Sequence, residues 1–416
     1  MTRKIARPKL VVTVTVPARQ APRIRECMAL PTDLCAVLIS GDTTAFTPPV
    51  VPVLTSTYFA KGIHRLFLSA TMAGTDAFVR AFGREPGRVI CPETPAGACE
   101  RLFVMLPGDI PDAQSSATVE KMTEGHKRLV LTPSHKRAAF WKQFESPGLG
   151  DDVEDQLNNF KSASAPATLV LANRYDGIDL PGNTCHLMIV DGLPARVGPF
   201  ESYFYDRLHM ARILRSTIAS RVAQSFGRIT RGLSDYGVVV LSGNNLLSWL
   251  MVPRNRAALS PFLRSQLQIG IDLHERFTSL SSTAEIIQDG LLRSESWMSL
   301  YRQRMAGLID ARPALDDNDA LKIALVEANF SVHYWNREYK SAAKVLQDGL
   351  DATLQISEAN GAWHELWLGY CCELMNDHDV AQAHYAFAHN ARRDIPPTSW
   401  GHALKLRNSR HRSETL

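Results

Sequence analysis

The chain has 416 residues, 45% hydrophobic and 21% charged, with a formal net charge of +4. That length suits two or three domains with proper cores, and the charge is too mild to make nucleic-acid binding a property of the whole surface. No apolar run reaches the ~18 residues of a bilayer span, and seven cysteines (27, 35, 91, 99, 185, 371, 372) without C-x-x-C fit reduced thiols in a cytoplasm better than a disulfide framework.

Near the N-terminus, "VVTVTV" alternates and predicts a strand rather than a signal peptide, because no small-residue cleavage pattern follows. From about 64 to 245 strands and helices take turns. "RLFLSAT" (65–71), "RLVLTPS" (128–134), "ATLVLAN" (167–173), "HLMIVDG" (186–192) and "YGVVVLSG" (236–243) read as buried strands of a parallel sheet. Helical stretches fall at Asp76–Phe82, Lys136–Phe144, Val153–Phe160 and about Tyr203–Phe226. Such alternation predicts an α/β fold, with ligands outside the carboxyl ends of the strands. Residues 107–125, with Pro107, Gly108, Pro111 and a Gln-Ser-Ser run, lack apolar periodicity and read as a linker between two α/β units.

Beyond about 275 only helical patterns remain. Asn336, Tyr339, Ala342 and Leu346 recur as Asp377, Val380, Ala383 and Phe387, an offset of 41 that weakly resembles tetratricopeptide helix hairpins. An ordinary helical bundle is the alternative. His364, His378, His384 and His389 share no helical face and read as surface or groove residues. Metal ligation is not expected from them, nor from the equally spaced pairs Cys27/Cys35 and Cys91/Cys99.

"QSFGRITRG" (224–232) carries the sharpest chemistry. Gln224, Arg228 and Arg231 stand at spacings of four and three, which on a helix is one face. The pattern admits a solvated helix face, and it admits a clamp on a polyphosphate, since the planar guanidinium matches phosphate oxygens in a bidentate way.

Read in order, the clusters at the strand ends resemble the later motifs of a superfamily 2 helicase of DEAD/DEAH type. "FLSATM" (67–72) is similar to motif III, "LVLTPSHKRA" (129–138) to motif IV and "ANRYDGIDLPGNTCHLMIVDGLP" (172–194) to motif V. "QSFGRITRG" is similar to motif VI, Q-x-x-G-R-x-x-R. The nearest group is the DNA-repair and damage-inducible helicases. The resemblance implies the tail of a first RecA-like domain over 1–112 and a second RecA-like domain over 113–275. A helical, tetratricopeptide-like unit over 276–416 would be available to a protein partner.

It also implies roles. Gln224, Arg228 and Arg231 would meet the γ-phosphate of ATP, while Gly177, Asp179 and Gly227 would shape the nucleotide site. Ser69, Ala70 and Thr71 would couple that site to a nucleic-acid track. Thr132, Ser134, Asn173 and Arg174 would contact single-stranded DNA or another nucleic acid. Ser134 is equally suited to capping the helix after it, and Asp179 to capping a helix near Leu180. The sequence contains no G-x-x-x-x-G-K-[ST] and no D-E-x-H or D-E-x-D box after an apolar strand. The Mg²⁺ ligands and phosphate loop for ATP are therefore expected on a partner subunit or a missing domain. By itself the chain is expected to be inactive. The alternative is a non-catalytic module for nucleic-acid binding and protein interaction, derived from a helicase.

Overall fold

The computed structural model describes residues 35–40, 43–47, 64–68, 74–90, 99–107, 110, 112–149, 152–163, 166–174, 178, 180, 182–195, 198–230, 232, 234–307 and 317–399. A two-stranded antiparallel hairpin, β1 (Ala36–Ser40) and β2 (Thr43–Thr47), comes first. Helix α1 (Thr75–Phe82) follows. Then come β3 (Glu100–Met105), α2 (Asp112–Met122), β4 (Arg128–Thr132), α3 (His135–Ala138), α4 (Val153–Ser162), β5 (Thr168–Ala172) and β6 (Leu187–Asp191). After α5 (Pro199–Ser202) and a π turn at Tyr203–Arg207, α6 (Ala211–Phe226) leads to β7 (Tyr236–Ser242).

β3 to β7 form one parallel sheet in the order β3-β7-β6-β4-β5. Their apolar runs are continuous because both faces are covered. Leu129, Leu131, Met188, Val190, Val239 and Leu241 enter the core on one side. Val130, Ile189, Val238 and Val240 enter the core on the other. This is the α/β, RecA-like architecture expected.

The sheet's limits differ from the expected ones. β3 lies upstream of residue 112, yet it is hydrogen-bonded to β7 as the sheet's edge strand. Helices α7 (Asn244–Met251), α8 (Pro253–Arg256) and α9 (Pro261–Arg276) close the sheet, as do α10 (Leu280–Leu292) and α11 (Glu295–Met305). Ile287 and Trp297 sit in the same core as β3, so packing carries the α/β unit well past residue 275. The stretch read as a linker holds α2. Its serines 115 and 116 are buried and Val119 anchors it, so small side chains against the sheet replace the missing apolar stripe. Residues 64–68, read as the start of a strand, form none, and Leu66 and Leu68 are exposed. Among the described residues no parallel sheet stands upstream of β3. α1 instead packs Val79 against Ala324 and Ala328 of the C-terminal helices.

Those helices are α12 (Asn318–Trp335), α13 (Tyr339–Ile356), α14 (Glu358–Leu374) and α15 (His378–Ala391), two hairpins in sequence. The repeat between them is 39 residues rather than 41. Left-handed Arg337 (φ 60°) recurs as Asn376 (φ 62°), and buried Ala342 and Leu346 recur as Ala381 and Tyr385. The positions proposed at offset 41, Val380, Ala383 and Phe387, face solvent, because pairing similar residue types misses which face is buried. His364 is likewise no surface residue: it is buried at 1% exposure.

Asn360, His364 and Trp367 share one face of α14 and are buried, and neither amide atom of Asn360, neither ring nitrogen of His364, nor Trp367 Nε1 has a hydrogen-bond partner. Each orphaned group costs about 1–3 kcal/mol. His364 Nε2 does approach Glu327 Oε1, at 3.5 Å. Burial raises the Glu327 carboxyl, but Arg80 and His364 outweigh it and hold the group below its ordinary range.

The α/β and helical units are joined through α6. Arg212 Nη2 donates to Asp317 Oδ1 at 2.9 Å and to Asp319 Oδ2 at 2.6 Å, and Arg215 Nη1 donates to Asp317 Oδ2. Asp317 also caps α12, accepting from Ala320 N at 3.2 Å.

Candidate functional site

At the carboxyl rim of the sheet, β4 and β5 end side by side, and Asn173 N donates to Thr132 O at 2.9 Å. Asn173 turns the chain in the left-handed region (φ 54°), where Asn is among the few side chains tolerated. It and Arg174 are exposed. Ser134 is half-buried and caps α3, its Oγ accepting from Arg137 N at 3.1 Å. Thr132 is fully buried, and its hydroxyl donates to Ser134 O at 3.2 Å. It shapes the loop from beneath and does not reach a phosphate in solvent. The structure therefore brings Ser134, Asn173 and Arg174 to one rim and withdraws Thr132. Exposed His135 and Lys136 join them; both lie inside the quoted motif IV segment, but α3's short turn, which puts them at the rim, is not legible in the residues.

The same rim is braced from below. Arg137 Nε and Nη2 donate to Asp191 Oδ2 and Oδ1 at 2.8 and 2.7 Å, and Trp141 Nε1 donates to Asp191 Oδ2 at 2.7 Å. Asp191 sits opposite Ser242 in the β6–β7 register. This fixes α3, and so Ser134, against two central strands.

Arg228 stands at the other end. It lies in the connection entering β7, where Arg101 near the start of β3 donates from Nε to Thr230 Oγ1 at 2.8 Å. A five-residue strand is roughly 17 Å long, so the two rims are about that far apart. Arg228 is buried at 9% exposure; Nε donates to Gln224 O at 2.9 Å and Nη1 to Ile178 O at 3.0 Å. Leu180 N in turn donates to Arg228 O at 3.2 Å. The G-I-D segment and the Q-x-x-G-R segment, fifty residues apart, are thus joined by two hydrogen bonds. Gln224 is half-buried on the last turn of α6. Gly227 ends that helix at φ −91°, and an added Cβ would come no nearer than 3.6 Å to Gln224 O, so the fold itself does not require glycine there. Ser69, Ala70, Thr71, Gly177, Asp179 and Arg231 lie outside the described residues.

Among the described residues no group of three or more His, Cys, Asp or Glu is placed to hold a metal ion, and no helix is long and apolar enough to cross a membrane. Burial pushes the thiols of Cys185 and Cys371 up to about 11 and about 12, which suits packing rather than reaction.

A parallel sheet with a guanidinium locked between two loops at one rim and a polar loop cluster at the other defines a RecA-like module. Residues 114–249 match the family model of the helicase C-terminal domain, and this part of the chain is a helicase C-terminal domain. That places it in a nucleic-acid-binding class. No curated protein matches the chain.

Proposed function

We propose that the chain supplies the second RecA-like unit of an ATP-dependent DNA helicase of the damage-inducible, excision-repair kind. It would act on nucleotide held by a Walker A/B-bearing subunit or domain. The observation that carries this reading is the brace of Arg228 between Gln224 O and Ile178 O, which holds motif V and motif VI as one unit. In the complex Gln224, Arg228 and Arg231 would face the γ-phosphate, with Gly177, Asp179 and Gly227 around it and Ser69–Thr71 relaying its state. ATP and Mg²⁺ supply an activated phosphoryl group, and this chain's part is to stabilise charge developing on it. Ser134, Asn173 and Arg174, with Lys136, would follow a single-stranded backbone along the far rim.

The second reading is a helicase-derived module without catalysis, gripping nucleic acid and presenting the helical hairpins to a protein partner. The absence of a phosphate-loop motif from the 416 residues favours it. Co-purification with the product of an adjacent gene bearing that loop, followed by a DNA-stimulated ATPase assay, separates the two. Turnover that needs both chains supports the helicase, and a complex that binds DNA without turnover supports the module.

A further inference from the structure

We propose that α1 is a detachable strap, which leaves α6 and the helical hairpins together while the sheet stays folded. Its attachment is small. Val79 is its one fully buried apolar residue, clustered with Ala324 and Ala328 and with half-buried Leu321 and Leu325. Arg80 adds polar bonds: Nε donates to Glu327 Oε2 at 2.8 Å, Nη1 to Asp76 Oδ2 at 3.0 Å and Nη2 to Ala320 O at 3.4 Å. Asp76 in turn accepts from Ser216 Oγ of α6 at 2.7 Å. One small polar junction therefore ties three parts of the chain: the helix just after Thr71, the helix leading to Arg228, and the hairpins.

Behind that junction His364 Nε2 approaches Glu327 Oε1 at 3.5 Å. Closure of α1 fully buries one apolar side chain and makes a few polar bonds. So small an attachment is what a local opening requires. The docking is also tight: a Cβ on Gly74 would stand 2.7 Å from Ser216 Oγ and 2.8 Å from Asp76 Oδ1, so a side chain there must push apart the two partners of that bond.

The test is amide hydrogen exchange by mass spectrometry on the full chain. Peptides from α1 should exchange at least about tenfold faster than those from β6 and β7. Gly74→Val and Arg80→Met should each accelerate α1 further, about threefold or more, with the strands unchanged. Protection of α1 equal to that of β6 and β7, or no acceleration in Arg80→Met, would overturn the proposal. Should Arg80→Met not fold, Ser216→Ala removes the bond to Asp76 and must accelerate α1 in the same way.

Discussion

Arg137 and Asp191 make a bidentate ion pair at 2.8 and 2.7 Å, with Asp191 almost wholly out of solvent. A carboxylate buried there is tolerable only because three donors face it. Arg137→Ala leaves the charge buried with Trp141 Nε1 alone among the bonds described, and should lower unfolding free energy by about 3–5 kcal/mol. The double change Arg137→Met, Asp191→Leu should lose much less than the single one, because no charge is left stranded. Urea titrations of the two variants check both statements.

Arg228 braces two segments, and the proposed function gives it a second job at the γ-phosphate. The isolated chain should show no ATP turnover. In a complex containing a phosphate-loop subunit, Arg228→Ala should lower turnover by a factor of about 10³–10⁵. Arg231→Lys should fail as well, since an ammonium does not reproduce the planar fork. DNA affinity measured by fluorescence anisotropy should barely move in either, because the far rim is untouched. Robust turnover by the chain alone, abolished by Arg228→Ala, would sink the need for a partner.

Single-stranded DNA binding should be weak and indifferent to sequence, and should fade with salt. Each phosphate engaged adds about 0.7 to the slope of log affinity against log salt. Arg174→Ala and Lys136→Ala should each reduce that slope by about this amount, while Thr132→Val, a change beneath the loop, should leave it alone. A Thr132→Val slope as low as that of Arg174→Ala would restore Thr132 as a direct contact.

Acid should loosen the helical hairpins before the sheet. Glu327 is held below its ordinary range against its own burial by Arg80 and His364, and Asp317 likewise by Arg212 and Arg215. A carboxyl lowered on folding stabilises the fold above its unfolded value of about 4, and that contribution is lost as pH falls through its folded value. Between pH 6 and 3, thermal stability should therefore drop. Asp317→Asn should start lower and fall less, which a calorimetric series would show.

What the sequence made legible followed from burial on two faces. Strands such as "RLVLT" and "LMIVD" can only be interior, and both lie in the parallel sheet. α2 escaped notice because Ser115 and Ser116 pack as small residues, not as an apolar stripe. Local pattern also could not reveal that Arg80 meets Glu327, 247 positions away, since nothing near either residue encodes the other. The helical repeat was visible but misregistered, because residue likeness tracked type and the core tracks the face.

The parallel direction of all five strands has an evolutionary reach. On the proposed function, nucleotide chemistry and strand-gripping would stand on opposite edges of one slab, each held by its own hydrogen bonds, and among the described residues the bonds bracing one edge use no side chain of the other. Substitutions that erode one trade leave the other's tools in place. A lineage could give up fuel use altogether and still keep a clamp, or keep its arginines for hire by another polypeptide's fuel.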